Sequence, residues 1–185
     1  MMKVVSIVGM AGSGKSEVAR VFENSGFGKI RFGDITDIEI RKRGLDLNEK
    51  NERSIRQQLR HDHGMAAYAK LSIPRIDALL KSTEVIVDGL YSWEEYTLLK
   101  NRYNNQLIVI AVWASPETRY KRLSGRPIRP LTREEAISRD FSEIENINKG
   151  GPIAMSDFTI INDSSLENLE IETERVLLAL NGKTK

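Results

Sequence analysis

The sequence predicts an α/β fold in which a parallel sheet is covered by helices on both faces. Five short runs rich in Val and Ile recur along the 185 residues and largely lack alternation, as strands buried on both faces do. Longer stretches between them carry helical patterning and recognisable start signals, so strand and helix alternate as in βα units. No internal repeat, low-complexity tract or linker divides the chain, and one domain spanning 1–185 is expected.

The elements follow in order. Val4–Val8 is the first strand, and Gly9 to Ser16 is a glycine-rich turn running into a helix that begins near Lys15. Ile30–Phe32 is the second strand. The region 36–82 is mostly helical, long for one crossover, and reads as two or three helices capping one end of the sheet. Pro74 is expected to break or kink it, with Ser72 capping a new helix. Val85–Val87 and Leu107–Trp113 are the third and fourth strands. Ser115-Pro116 supplies an N-cap and a first-turn proline for the next helix. The stretch GRPIRPLT, residues 125–132, has two prolines and two arginines and reads as a surface flap. Thr132 to Glu135 and Ser164 to Glu167 each fit a capping box, one before and one after the fifth strand, Phe158–Ile161. Asn181-Gly182 is a stop for the last helix. The expected division is a core (1–33, 83–124, 133–185), a helical cap (34–82) and a short lid (125–132).

Composition narrows the function. There is no cysteine, which excludes disulfides and thiolate metal sites. A net charge of +2 gives no case for nucleic acid as a partner. No apolar run approaches the ~20 residues of a membrane span, and the start carries no secretory pattern, so a cytoplasmic protein without membrane attachment is expected. His61-Asp62-His63 places its histidines at i and i+2, off a common helical face, and reads as polar surface.

Gly9-Met10-Ala11-Gly12-Ser13-Gly14-Lys15-Ser16 fits G-x-x-x-x-G-K-[ST], the phosphate-binding loop. Its glycines let successive backbone N–H groups converge on phosphate oxygens, and the following helix adds its positive end. Lys15 can reach β- and γ-phosphates, and the Ser16 hydroxyl can ligate a bridging Mg²⁺. ATP and Mg²⁺ are the expected cofactors, held by Gly9 through Glu17. A second metal-side group is Asp88, which ends an apolar strand where a parallel sheet gathers its ligands. Gly89 follows it, and Tyr91 is placed to line the pocket.

With these residues, the chain resembles the P-loop kinases of small metabolites. More narrowly it resembles an adenylate-kinase-related family close to dephospho-coenzyme A kinase and nucleoside monophosphate kinases. Gly33-Asp34 resembles the pair that opens the acceptor-binding helices of those kinases, and Asp88-Gly89 the start of their DGFPR segment. Arg122-Leu123 and Arg126 resemble the start of their lid, Arg139-Asp140 the arginine–acid pair beyond it. Ser156 to Asp163 resembles their final strand, whose loop, with Asn162, borders the adenine. The resemblance implies a three-layer fold with a five-stranded parallel sheet, the Asp88 strand beside the loop strand, a helical acceptor cap and a mobile lid. Two positions depart from it. Asp37 stands where those kinases carry an arginine for the acceptor phosphate, and Leu90-Tyr91-Ser92 replaces their proline and arginine. Arg41, Arg53, Arg56 and Arg60 are the replacements available from the cap, Arg60 being preferred.

Asp34 reads equally as a helix N-cap and as a base for a hydroxyl acceptor, and Asp37 as a first-turn acid. Of the flap arginines, Arg122 and Arg126 are ranked ahead of Arg119, Arg129 and Arg133 for stabilising the migrating charge. The catalytic set is therefore Lys15, Asp34, Asp88, Arg122 and Arg126. The acceptor set is Gly33, Asp34, Arg60, Gly89, Tyr91 and Arg139. The expected activity is phosphoryl transfer from ATP to a nucleotide or nucleoside-like small molecule. The alternative is an ATPase-type switch or assembly factor read by a protein or RNA partner, although no stacking aromatic lies within the arginine cluster.

Overall fold

In the computed structural model, which describes residues 2–182, five strands form one sheet in the order β2-β3-β1-β4-β5, every pairing parallel. They are β1 (Val4–Val8), β2 (Gly28–Arg31), β3 (Val85–Leu90), β4 (Leu107–Trp113) and β5 (Phe158–Ile161). The helices are α1 (Lys15–Asn24), α2 (Gly33–Lys42), α3 (Glu49–His63), α4 (Ala67–Leu79), α5 (Trp93–Tyr103), α6 (Pro116–Ser124), α7 (Arg133–Glu145), α8 (Gly150–Ala154) and α9 (Leu166–Gly182). This is the five-stranded parallel α/β architecture expected, with the β3 strand directly beside β1.

Alternate residues of the central strands serve two cores, which is why these runs are largely apolar rather than alternating, Ser6 and Asp88 being the buried polar exceptions. Val4, Val8, Val85, Val87, Val109 and Ala111 face one core with Ile76 of α4 and Leu99 of α5. Val5, Ile7, Ile86, Ile110 and Val112 face the other, where Phe22 of α1 and Leu169 of α9 cover them. Each large side chain so buried contributes about 1.5–3 kcal/mol. Because all strands run the same way, their C-terminal ends bring the loop after Val8, the α2 start, Asp88 and Asn162 to one edge of the sheet.

Several local expectations are corrected. The helix α4 runs through Pro74 without a break, and Ser72 is buried inside it rather than capping a new helix. Pro74 lies on the exposed face, so the carbonyl whose partner its ring removes is on the side of α4 nearest water. Phe32 is not the end of β2: its backbone (φ −62, ψ −34) is already helical, and its N–H donates to Asp88 O at 3.0 Å. The chain thus passes from strand to helix without an intervening loop. Asp34 does not cap α2, which has no side-chain cap. At α9 the cap is Ser165, whose Oγ accepts from Asn168 N at 3.2 Å, not Ser164. The described part of α9 extends through Gly182, and the stop expected there lies at the limit of the described residues. The Ser115 cap with Pro116, and the Thr132–Glu135 capping box, form as expected.

Candidate functional site

The glycine-rich loop leaves β1 and returns as α1, and Lys15 opens that helix. Its Nζ donates to Gly9 O at 2.9 Å and Met10 O at 3.0 Å, so the loop's own carbonyls hold the ammonium. Burial pushes this ammonium down to about pKa 7; the charge of Lys149 adds to the effect, while Glu143 and Asp88 oppose it. A shielded cation held by carbonyls rather than carboxylates is suited to a phosphate ligand.

The loop is braced from behind by residues expected to have other work. Asn162 Nδ2 donates to Ser13 O at 2.8 Å, and its side chain lies where a Cβ on residue 14 would stand, 2.3 Å away. Gly14, at φ +100, is required there on both counts. Arg122 donates to Asn162 O at 3.0 Å and Oδ1 at 3.3 Å. The structure therefore sets Asn162 (4% exposed) and Arg122 behind the loop, and neither lines a cavity beside it. Arg119, ranked low among the flap arginines, is also a brace. It forks onto Asp140 at 2.9 and 2.6 Å and reaches Ala11 O at 3.1 Å.

At the front of the loop, Ser16 Oγ donates to Asp88 Oδ2 at 3.1 Å. Strand alternation produces this alignment: Asp88 pairs with Ile7 and lies two residues beyond Ile86, on the face covered by α1. Only then does the register slip, so that Val8 pairs with Leu90 and Gly89 is passed over at φ +103. A Cβ on Gly89 would stand 2.9 Å from the Tyr91 hydroxyl, which folds back over the strand end. One hydroxyl and one carboxylate suit Mg²⁺, which takes few protein ligands and completes its shell with phosphate oxygens and water. Among the described residues there is no cluster of three or more His, Asp or Glu able to hold a metal without such help.

Two adjoining cavities open from this edge. The loop-side cavity is lined by Ala11, Gly12, Lys15, Ser16, Asp88 and Arg126, among others. The helix-side cavity lies under α2 and α3 and includes Gly33, Asp37, Arg56, Gln57, Arg60 and Ile147. Arg31, Glu52, Tyr91, Arg129, Arg139 and Glu143 line both. Their charges interlock. Arg31 Nη1 donates to Asp34 at 2.9 Å and Asp37 at 2.8 Å; Arg129 reaches Glu52 at 2.6 Å and Asp37 at 3.4 Å. Arg139 lies between Glu143 (3.1 Å) and Glu49 (3.2 Å). Burial, followed by its neighbours Arg139 and Arg129, lowers the pKa of Arg126, a crowding of cations that favours an anion beside it.

The expected residues are thus divided. Lys15, Ser16, Asp88, Gly89, Tyr91, Arg126 and Arg139 meet around the loop-side cavity, and Gly33 and Arg60 line its neighbour. Arg60 lies 5.3 Å above the Tyr68 ring, with its Nε buried and without a hydrogen-bond partner. Asp34 lines neither cavity and is held by Arg31, whereas Asp37, taken for a first-turn acid, lines one. Met10 belongs to a separate groove with Trp113 and Pro116, and Glu17 pairs with Arg20 at 3.1 Å. Sequence reasoning passed over Arg31, Glu52, Glu143 and Lys149. Arg31 carried a usable signal, since it ends a parallel strand at the same edge as Asp88 and is its register partner. Glu143 and Lys149 carried none.

A model described as an AAA domain matches residues 5–148. UPF0200 protein TK1334 of Thermococcus kodakarensis is 36% identical over 178 residues, 94% of this chain and 96% of its own. A UPF0200 protein of Hyperthermus butylicus is 34% identical over 182 residues, 97% and 96% of the two chains. The chain belongs to the UPF0200 family and carries this AAA domain. Among solved structures, shikimate kinase from Bacteroides thetaiotaomicron superposes with TM-score 0.64 at 12% identity, covering 98% of this chain and 99% of its own. Dephospho-CoA kinase from Campylobacter jejuni gives 0.60 at 17%, covering 100% of both. At these identities the likeness is one of fold alone: the chain shares its five-stranded parallel α/β architecture with these two kinases. Among the described residues no helix is long and apolar enough to cross a membrane.

Proposed function

We propose that this protein is an ATP-dependent phosphotransferase that moves the γ-phosphoryl group to a nucleotide or nucleoside-like acceptor. The observation that carries this reading is the pair of adjoining cavities, one on the phosphate loop and one under α2 and α3, with six residues common to both. A nucleotide switch needs only the first; transfer needs a second compartment opening onto the first. The kinases that share the fold, among them the shikimate kinase and a gluconokinase from Sinorhizobium meliloti, support it by analogy.

In this reading Lys15 and the loop amides bind the β- and γ-phosphates; Ser16 and Asp88 would hold Mg²⁺, which when bound would supply charge neutralisation at the phosphates. Arg126 and Arg139 add positive charge from the far wall. The helical segment 34–82 acts as the acceptor cap, and 125–132 as the lid. Arg129 fastens that lid to the cap through Glu52 and Asp37. Arg60, which lines the cavity under the cap, is the residue assigned to an acceptor group, and Tyr91 forms a wall of both compartments.

The test is incubation with γ-labelled ATP, Mg²⁺ and a panel of nucleotides and nucleosides. Label transfer that requires an acceptor and disappears in Lys15→Ala is expected. Hydrolysis indifferent to every acceptor, and stimulated instead by a protein or RNA, would replace the kinase with a switch.

A further inference from the structure

Two lysines line the loop-side cavity, and only Lys15 belongs to the phosphate loop. The other, Lys149, precedes α8 and is 1% exposed. Its Nζ donates to Glu143 Oε2 at 2.6 Å, and its backbone N–H to Glu143 O at 3.1 Å, so α7 holds it at both ends. The ammonium also lies 5.2 Å from the centroid of the Tyr91 ring, on the wall common to the two cavities. It does not line the helix-side cavity.

A buried lysine is costly, and an apolar pair would join α7 to α8 at least as well as an ion pair. The surrounding charges give the cost a purpose. Lys15, Lys149, Arg31, Arg126, Arg129 and Arg139 line the loop-side cavity with Asp88, Glu49, Glu52 and Glu143 as its acids. Glu143 is already divided between Lys149 and Arg139, and Glu49 between Arg139 and Arg56. Burial works against the charged form of Glu143, yet Lys149 and Arg139 hold its carboxyl well below the usual carboxylate range. Lys149 is therefore aimed by the Glu143 carboxylate and carbonyl together. Its ammonium lines the same cavity as Lys15 and is near enough for its charge to act on that lysine, so one bound phosphate chain can meet both.

We propose that Lys149 is a second phosphate-binding lysine, donating to the terminal phosphoryl oxygens of the nucleoside triphosphate that Lys15 holds. This rests on the triphosphate part of the reading above, and not on transfer to an acceptor.

Calorimetric titration with MgATP and MgADP tests it, on the wild type, Lys149→Met, Lys149→Arg and the double variant Glu143→Gln/Lys149→Met. The double variant removes both members of the Lys149–Glu143 pair and leaves Arg139 its second carboxylate, Glu49, and so separates binding from folding. MgATP affinity is expected to fall on the order of ten- to a hundredfold in both Met variants, with MgADP changed far less, and Lys149→Arg is expected to retain part of the preference. Equal losses for the two ligands, or an unchanged ATP-over-ADP preference in the double variant, would overturn the proposal and leave Lys149 a strut. Dependence of that preference on Lys149 in a protein that transfers nothing would refute the kinase alone. Transfer with a preference indifferent to Lys149 would refute only this inference.

Discussion

The Ser16 hydroxyl donates to the Asp88 carboxylate at 3.1 Å across 72 residues of sequence. The contact exists because β1 and β3 are neighbours and the alternation of β3 puts Asp88, two residues beyond Ile86, on the face that α1 covers. Asp88→Asn keeps an oxygen that can accept from Ser16 but removes the charge. Mg²⁺-dependent ATP binding is expected to weaken by roughly ten- to a hundredfold, with ATP binding in EDTA and the melting temperature little altered. Titration with and without Mg²⁺ reads this directly, and equal weakening in both conditions would remove Asp88 from the metal side.

Lys15 links binding to pH. With its ammonium pushed down to about 7 by burial, most of it is neutral at pH 8 in the free protein. Phosphate oxygens favour the charged form, so MgATP binding at pH 8 is expected to take up close to one proton, and uptake to vanish by pH 6. Affinity should accordingly fall as pH rises from 7 to 9. Calorimetry in buffers of differing ionisation enthalpy measures the uptake, and Lys15→Arg, charged throughout, should abolish it.

Arg119 predicts a loss of stability. The residue is 4% exposed, and its guanidinium is divided among Asp140, Ala11 O and Ala114 O. Arg119→Met strands the buried Asp140 with only the Tyr120 hydroxyl as donor. A loss of roughly 3–5 kcal/mol is expected from urea denaturation, and Asp140→Asn added to it should recover part. A loss below 1 kcal/mol would mean that Arg119 braces nothing.

What could be read from the chain, and what could not, follows from the range of each interaction. The strands and the phosphate loop were legible because a run such as Val4–Val8 and the spacing from Gly9 to Ser16 are local patterns. Asp88 was legible because it ends such a run. Arg122 and Arg119 were not distinguishable as braces, since that depends on Asn162 and Asp140, brought to them only by the fold. The exchange of Asp34 for Asp37 turns on which side of α2 faces the cavity, and that is fixed by Arg31 and Arg129 from other elements. Lys149 and Glu143 meet through a turn that has no sequence signature.

Glu95 supplies a pH dependence of folding. It is fully buried at the start of α5, where Oε2 accepts from Tyr91 N at 2.9 Å and Ser92 N at 3.2 Å, while Oε1 is without a partner. Burial raises its carboxyl from 4.5 to about 7 against the pull of Arg60. The folded state thus binds a proton between pH 4.5 and 7 that the unfolded chain releases. Its contribution is complete below pH 4.5 and is lost as pH rises through 7. Over that interval the wild type should lose about 3 kcal/mol relative to Glu95→Gln, which does not titrate. Urea denaturation of both proteins at pH 4.5 and pH 8 gives the difference. Should the gap between them stay constant across the two pH values, Glu95 is ionised in the folded state throughout, and Arg60 outweighs its burial.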